Sequence, residues 1–363
     1  MASSVEQQSL PASEPVRPIL LTARNPTDKM KELTDRLEEG IQEVFQSRKY
    51  QEYLQVMSKF YNYSFNNLIL IAMQKPDASL VAGYSAWQKQ FGRHVKKGEK
   101  GIKILAPMFQ KRKVDEEEKN VAEPTEGQTE ETEKIEKVIT GFKVVSVFDV
   151  SQTEGKELPS YGVDMLRGGV DDYPIFFQAI RKIAPVPVGF EDIPGEAHGY
   201  YHQTEKRIAI AEGMSEIQNV KTLLHEIAHA KLHDIDRDVP EEQQKNQPDR
   251  YTKEVQAESI AYVICQHYGM DTSEYSFAYI AGWSTDREVP ELKASLDTIR
   301  STSREMITEI DQQLSIIRNY RKEEQVQKTE KGNCLEQNGM NIQNKDRRTM
   351  EGKEVVGRGL SIR

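Results

Sequence analysis

The stretch KTLLHEIAHAKLHD, residues 221–234, sets His225, Glu226 and His229 in H-E-x-x-H order within a run free of glycine and proline. Two histidines four positions apart on a helix lie about 40° apart around its axis, so both imidazoles can reach one cation. Glu226, one step round, can then face a water bound to that cation and act as a catalytic base. Hydrolytic zinc sites use three protein ligands and leave one position open, so a further donor is needed. KEVQAESIAY, residues 253–262, offers Glu254 and Glu258 one turn apart on one face. Glu254 is favoured as the metal ligand, with Glu258 as an outer carboxylate orienting a histidine. The reverse assignment of the two acids stays open. The donor set favours Zn2+ over softer or harder ions.

The other histidines read differently. His233 is expected at a helix C-terminus, where it meets the negative end of the dipole. His198 and His202, four apart on a strand, sit too far apart for one ion and are expected at the surface. The hairpin around them, GYYHQTEKRIAIA (199–211), precedes the H-E-x-x-H segment and is placed to hold an extended peptide by its edge.

A second chemistry is written into residues 59–113. There Lys59, Lys75, Lys89, Arg93, Lys96, Lys97, Lys100, Lys103, Lys111, Arg112 and Lys113 face only Asp77 and Glu99, although the whole chain carries −9. A local basic patch on an acidic protein is a polyanion site. Tyr63, Tyr84 and Trp87 lie within it, flat rings on which unpaired bases can stack. The glycines of FGRHVKKGEKGIKI let backbone N–H groups approach phosphates while Arg93, Lys96, Lys97, Lys100 and Lys103 neutralise them. Single-stranded nucleic acid matches this pattern best. The large aromatics are equally the material of a core, Phe60, Phe65 and Trp87 above all.

These sites require two platforms, and 363 residues suffice for two domains. The expected fold is α+β. Residues 1–26 read as a flexible leader and 27–160 as a first α+β domain. Met30, Leu33, Leu37, Ile41 and Val44 form the apolar stripe of its first helix. Ser64 is a candidate N-cap further on, and β-branched segments at 101–108 and 141–153 make a hairpin. The acidic stretch 113–138 reads as a disordered insertion in that hairpin. A second domain spans 171–325: a helix at 175–183, a turn at APVPVGF, the hairpin, the H-E-x-x-H helix, a helix to about residue 268 and a long helix over 290–322. Residues 326–363 lack periodicity and read as a disordered tail.

Two cysteines, Cys265 and Cys334, are too few for a disulfide framework. The longest apolar run, 68–73, is too short to cross a bilayer. With no basic start or apolar core at the N-terminus, a cytoplasmic protein without a membrane partner is expected.

SFNNLILIAMQ, VAGYSAWQKQFGRHVKKGEKGIKILAPM and VFDVSQTEGKELP resemble the N-terminal single-strand-binding domain of ArdC-type antirestriction proteins. LLHEIAHAKLH with EVQAESIAYVICQHYGMDTSEYSFAYIAGW resembles their zincin-like metallopeptidase domain. The closer version is that of LtrC-like proteins of Gram-positive conjugative plasmids and integrative elements. The resemblance implies a mainly helical second domain with a small sheet, and metal ligands at His225, His229 and the Glu254/Glu258 pair. It also implies protection of transferred DNA: the first domain binds the entering single strand, and the second acts on a protein or peptide. Two readings stand side by side, a zinc peptidase tethered to DNA and a DNA-binding factor whose metal only holds its domain together.

Overall fold

The structure is a computed structural model that describes residues 14–113, 135–158, 173–234, 247–270, 272, 275, 277, 280–285 and 287–356. Among these, the residues up to Tyr173 together with Ala184–Ile307 form one compact unit, and Pro174–Ile183 with the residues from Thr308 onward form another.

The first unit opens with three helices. α1 (Pro26–Val44) starts where the Asn25 side chain accepts the Asp28 N–H, with proline in its first turn. Its buried stripe is Leu33, Leu37, Ile41 and Val44, as the spacing predicts. Residues 14–25 are irregular but tied down, which corrects the expectation of a flexible leader over that part. The Arg17 N–H donates to the Gln74 carbonyl (2.8 Å), and Thr22 donates through its backbone (2.8 Å) and hydroxyl (2.6 Å) to Glu32. The buried Lys75 ammonium donates to the Glu14 carbonyl at 2.7 Å. Residues 1–13 lie outside the described residues.

α2 (Ser47–Lys59) precedes α3 (Phe65–Gln74), an apolar helix with Ser64 at its N-cap. Beside α3 runs the sheet β1-β4-β3, built from β1 (Val81–Gly83), β3 (Ile102–Lys113) and β4 (Ile135–Asp149), all antiparallel. Lys113 pairs with Ile135. The hairpin is therefore longer than 101–108 and 141–153: Lys113 and residues 135–138, expected within the disordered insertion 113–138, are strand, and the rest of that insertion, 114–134, lies outside the described residues. β3 is an edge strand, and two amides of α3 cap it. Asn67 Nδ2 donates to the Leu105 carbonyl (2.9 Å), and its Oδ1 accepts the Leu105 N–H (2.8 Å). Gln74 does the same two residues away, to the carbonyl and the N–H of Lys103, both at 2.9 Å. Seven residues, close to two helical turns, place Asn67 and Gln74 on the same face of α3, so both amides turn toward the strand. Backbone groups that an edge would leave open are thereby satisfied.

α4 (Tyr84–Lys89) leads to β2 (Arg93–Val95), which pairs with β5 (Thr153–Gly155). Past β5 the chain reaches the second half of this unit, where β6 (Val188–Glu191) lies parallel to β8 (Arg207–Ala211) and β7 (Gly199–His202) pairs antiparallel on its other side. The APVPVGF segment, expected as a turn, thus contributes a strand. α6 (Glu216–Leu232) follows, then α7 (Arg250–His267), begun by Asp249 accepting the Thr252 N–H, and α8 (Ile280–Thr285). α2 packs on α7: the Tyr50 and Ser259 hydroxyls meet at 2.7 Å, and Gln55 donates to the Tyr262 hydroxyl at 3.3 Å. The first expected domain and residues 184–307 of the second therefore share one packed unit.

α5 (Tyr173–Ile183) buries Ile175, Phe176, Ala179 and Ile180. α9 (Val289–Val356) runs on past residue 325, where disorder was expected. Lys, Glu, Gln and Arg sustain a helix by propensity without an apolar stripe, which a search for periodicity does not register. No helix among the described residues is long and apolar enough to cross a membrane.

The amide clamp makes a direct prediction. Gln74, fully buried, replaced by leucine leaves both backbone groups of Lys103 without partners. The Gln74→Leu variant should lose about 2 to 4 kcal/mol of stability in urea denaturation, against less than about 1 kcal/mol for the exposed Gln90→Leu.

Candidate metal centre

α6 starts where the Ser215 side chain accepts the Gln218 N–H at 3.2 Å, and it runs unbroken through the H-E-x-x-H segment to a cap at His233. α7 packs along it and presents Glu254. His225 Nε2 and His229 Nε2 stand 3.0 Å apart, and Glu254 Oε2 lies 3.5 Å from the first and 3.6 Å from the second. Donor atoms each about 2.1 Å from a tetrahedral ion lie about 3.4 Å from one another, so these separations fit a shared zinc ion. Two imidazoles with one carboxylate is also a donor set of hydrolytic zinc. Among the described residues this is the group of three placed to hold a metal. Glu258, one turn on, stands outside it and lines the adjoining recess with His225 and Glu226.

The surroundings shift the two carboxylates in opposite directions. Hydrogen bonds from His225, then His229, hold Glu254 well below the usual carboxylate range. Burial pushes Glu226 up, against the charges of His225 and His229 and a hydrogen bond from the Tyr201 N–H. Burial lowers His225, but the hydrogen bond to Glu254 and the charges of Glu226, Glu254 and Glu258 outweigh it and raise its pKa. Only glycine fits at 199, because a Cβ there would meet Thr222 Cγ2 at 2.6 Å and the Ala209 carbonyl at 2.8 Å. β7 can therefore lie close against α6, with the Tyr201 N–H within reach of Glu226.

Behind His229 runs a chain of buried polar groups. Gln256 Nε2 donates to Ser295 Oγ (3.1 Å), so its Oε1 is the acceptor for His233 Nε2–H at 2.9 Å. His233 Nδ1 is then an acceptor, and it takes the proton of His229 Nδ1 at 2.9 Å. That order keeps a proton on His229 Nδ1, so a cation that displaces the proton shared between Nε2 and Glu254 would meet the Nε2 lone pair. Burial brings His233 down to about 4, so it stays neutral near pH 7, as this role requires. His233 is indeed the C-terminal cap of α6, as expected, and it also supports a ligand, which dipole reasoning did not reveal.

A recess of about 400 Å3 on one side of Glu226 is lined by His198, Lys221, Thr222, Glu258 and Tyr275. One of about 580 Å3 on the other includes Tyr201, Arg250 and Lys253. Lys221 is buried, with its ammonium 5.4 Å from the Tyr275 ring centroid. The sequence carried a signal for Lys221, one turn before His225 on the same face. His198, exposed as expected, directly precedes β7 and borders the first recess.

The expected nucleic-acid residues divide. Trp87 is fully buried and donates its indole N–H to the Phe148 carbonyl (2.9 Å), so it cannot stack on a base, which corrects that expectation. Arg93 is committed inside the β2–β5 corner, donating to the Thr153 hydroxyl (2.8 Å) and the Lys156 carbonyl (2.6 Å). Lys96 and Lys103 donate to the Ser151 carbonyl (2.8 Å) and the Ser146 hydroxyl (2.7 Å). Lys97 and Lys100 are exposed around Gly98, whose φ of +91° turns the loop, and Tyr84 is 59% exposed. Tyr63 is half-buried, edge-on to Phe60.

The His229–His233 chain is testable. His233→Phe should fold and lower zinc affinity about 10- to 100-fold, read by chelator competition. Glu254→Ala should lower it further, and Glu258→Gln should leave it within about threefold of the parent.

Residues 25–148 match the family model of the N-terminal domain of the anti-restriction factor ArdC, and residues 182–274 match the IrrE N-terminal-like domain of the M78 peptidase family. An uncharacterized protein of Bacillus anthracis is 27% identical over 332 residues, 83% of this chain and 54% of its own length. The chain thus spans about half the length of that curated relative. The metal-free crystal structure of the antirestriction protein ArdC from the R388 plasmid superposes with a TM-score of 0.41 at 18% identity, over 70% of this chain and 85% of that one. The chain thus carries an ArdC-type N-terminal domain followed by an IrrE-like domain of the M78 peptidase family.

Proposed function

We propose that the protein binds single-stranded DNA through its N-terminal half, protects DNA transferred by a conjugative element, and carries a zinc-dependent peptidase site in its second half. The observation that supports the peptidase reading most is the convergence of His225, His229 and Glu254 beside Glu226, a general base that a purely structural site has no use for.

In this reading His225, His229 and Glu254 would hold zinc, which would supply Lewis acidity toward a peptide carbonyl and lower the pKa of a water. Glu226, already raised by burial, takes a proton from the attacking water on its carboxylate and returns it to the departing amine. His233 and Gln256 keep His229 in the tautomer that offers Nε2. The DNA reading is supported by the match to the ArdC N-terminal domain and by the exposed Lys97, Lys100 and Tyr84.

Two experiments test these parts. Glu226→Gln should keep zinc stoichiometry and thermal stability while lowering hydrolysis of a casein-type substrate at least about 100-fold. Protection of incoming DNA undiminished by that substitution would refute the peptidase as the protective activity. Lys97→Ala with Lys100→Ala should weaken oligothymidylate binding and flatten its log K against log salt slope by about 1.4, the value for two lost phosphate contacts. Binding by the parent that is insensitive to salt would contradict the DNA reading.

A further inference from the structure

A cleft of about 720 Å3 lies between the start of α3 and the first turns of α9, lined by Asn62, Tyr63, Phe65, Lys293, Arg300 and Arg304 among others. It is separate from the metal centre and from the Lys96–Lys100 loop in the residues it uses. Lys293, Arg300 and Arg304 recur at steps of seven and four along α9, so they share one face of it. Arg300 is paired with Asp297 at 2.8 Å, while Lys293 has no acidic partner among the described residues and stands 5.7 Å from the Phe65 ring centroid. Opposite this cationic face, the Asn62 and Asn66 amides have no hydrogen-bond partner among the described residues, and no side chain caps the N–H groups that begin α3. Tyr63 offers a half-buried ring whose edge rests on Phe60 (5.4 Å between centroids).

Cations on one wall, an aromatic ring and unengaged amides on the other, and a volume with room for a nucleotide form a coherent set. A phosphate is neutralised by Lys293 and Arg304 and receives N–H groups from the head of α3. A base stacks on Tyr63 while Asn62 or Asn66 bonds its edge. An acidic peptide would use the cations but leave the ring and the amides without purpose.

We infer that this cleft binds one nucleotide of a single-stranded nucleic acid, so that α9, in the peptidase half of the sequence, supplies part of the DNA site. The inference rests on the single-strand reading above. It assigns Tyr63 a fixed place and adds Lys293 and Arg304, which lie outside the basic segment visible in the sequence.

The test titrates the full-length protein against a labelled oligothymidylate of about 15 nucleotides over a range of salt, with iodouracil-substituted oligonucleotide for cross-linking. The Lys293→Ala/Arg304→Ala double variant, altered at two exposed side chains, should bind about tenfold more weakly at low salt and lose about 1.4 from the salt slope. Tyr63→Ala should weaken binding roughly 5- to 100-fold, and Tyr63→Phe, which keeps the ring, should bind as the parent does. Cross-links of the parent should map to Tyr63 or to its neighbours in the cleft. If the parent binds no oligonucleotide, the single-strand reading itself fails. If the parent binds but the double variant keeps its affinity and slope, or cross-links fall wholly elsewhere, the cleft assignment alone is overturned. Displacement of the oligonucleotide by polyglutamate at equal charge concentration would overturn it in favour of an acidic protein partner.

Discussion

The second half of this protein depends on the packing of α6 against α7, which brings two imidazole nitrogens and one carboxylate oxygen within 3.6 Å of each other. Such a cluster of donors is poorly satisfied by itself and well satisfied around one divalent cation. Its surroundings sort the carboxylates by role. Glu254 is held ionised by the two histidines, and Glu226, buried against β7, has its pKa raised by that burial. The division of labour follows from burial and neighbours.

The same packing ties the metal helix to the N-terminal half. Ser259, the residue after Glu258, meets Tyr50 of α2, and the His267 ring bonds the Ser58 carbonyl at 2.8 Å. α7 thus has one face toward the ligand cluster and another toward the helices of the ArdC-type domain. In that domain Asn67 and Gln74 clamp the edge of β3, so the SFNNLILIAMQ segment is at once core and a polar seam. A seam of this kind fixes register, since a shift of one residue would strand four partly buried hydrogen bonds.

Local patterns were legible in the sequence. The stripe of α1, the Ser64 cap, the hairpin and the His-Glu-His order on an unbroken helix are all visible because they depend on spacing within one element. Glu254 was favoured over Glu258 from spacing alone, and the geometry places Glu254 beside the two histidines. What depends on contacts between distant elements was not legible. Trp87 and Arg93 look like ligand-binding residues in a basic, aromatic segment. Their partners Phe148, Thr153 and Lys156 lie some sixty positions away, and only the fold shows these groups to be already engaged. Likewise the link from His233 to Ser295 joins three helices and leaves no periodic trace. The short strand β6 hid within a proline-rich stretch because a parallel partner, β8, completes it from beyond the next strand.

The central claim is that one divalent ion is held by His225, His229 and Glu254. Anomalous diffraction at the zinc edge, from crystals of the full chain grown with zinc, tests it most directly. The account predicts a single strong peak about 2.1 Å from both Nε2 atoms and from a carboxylate oxygen of Glu254, with Glu226 beside the open position. A peak bound instead through other side chains, or no peak at this cluster with the three groups turned apart, would contradict it.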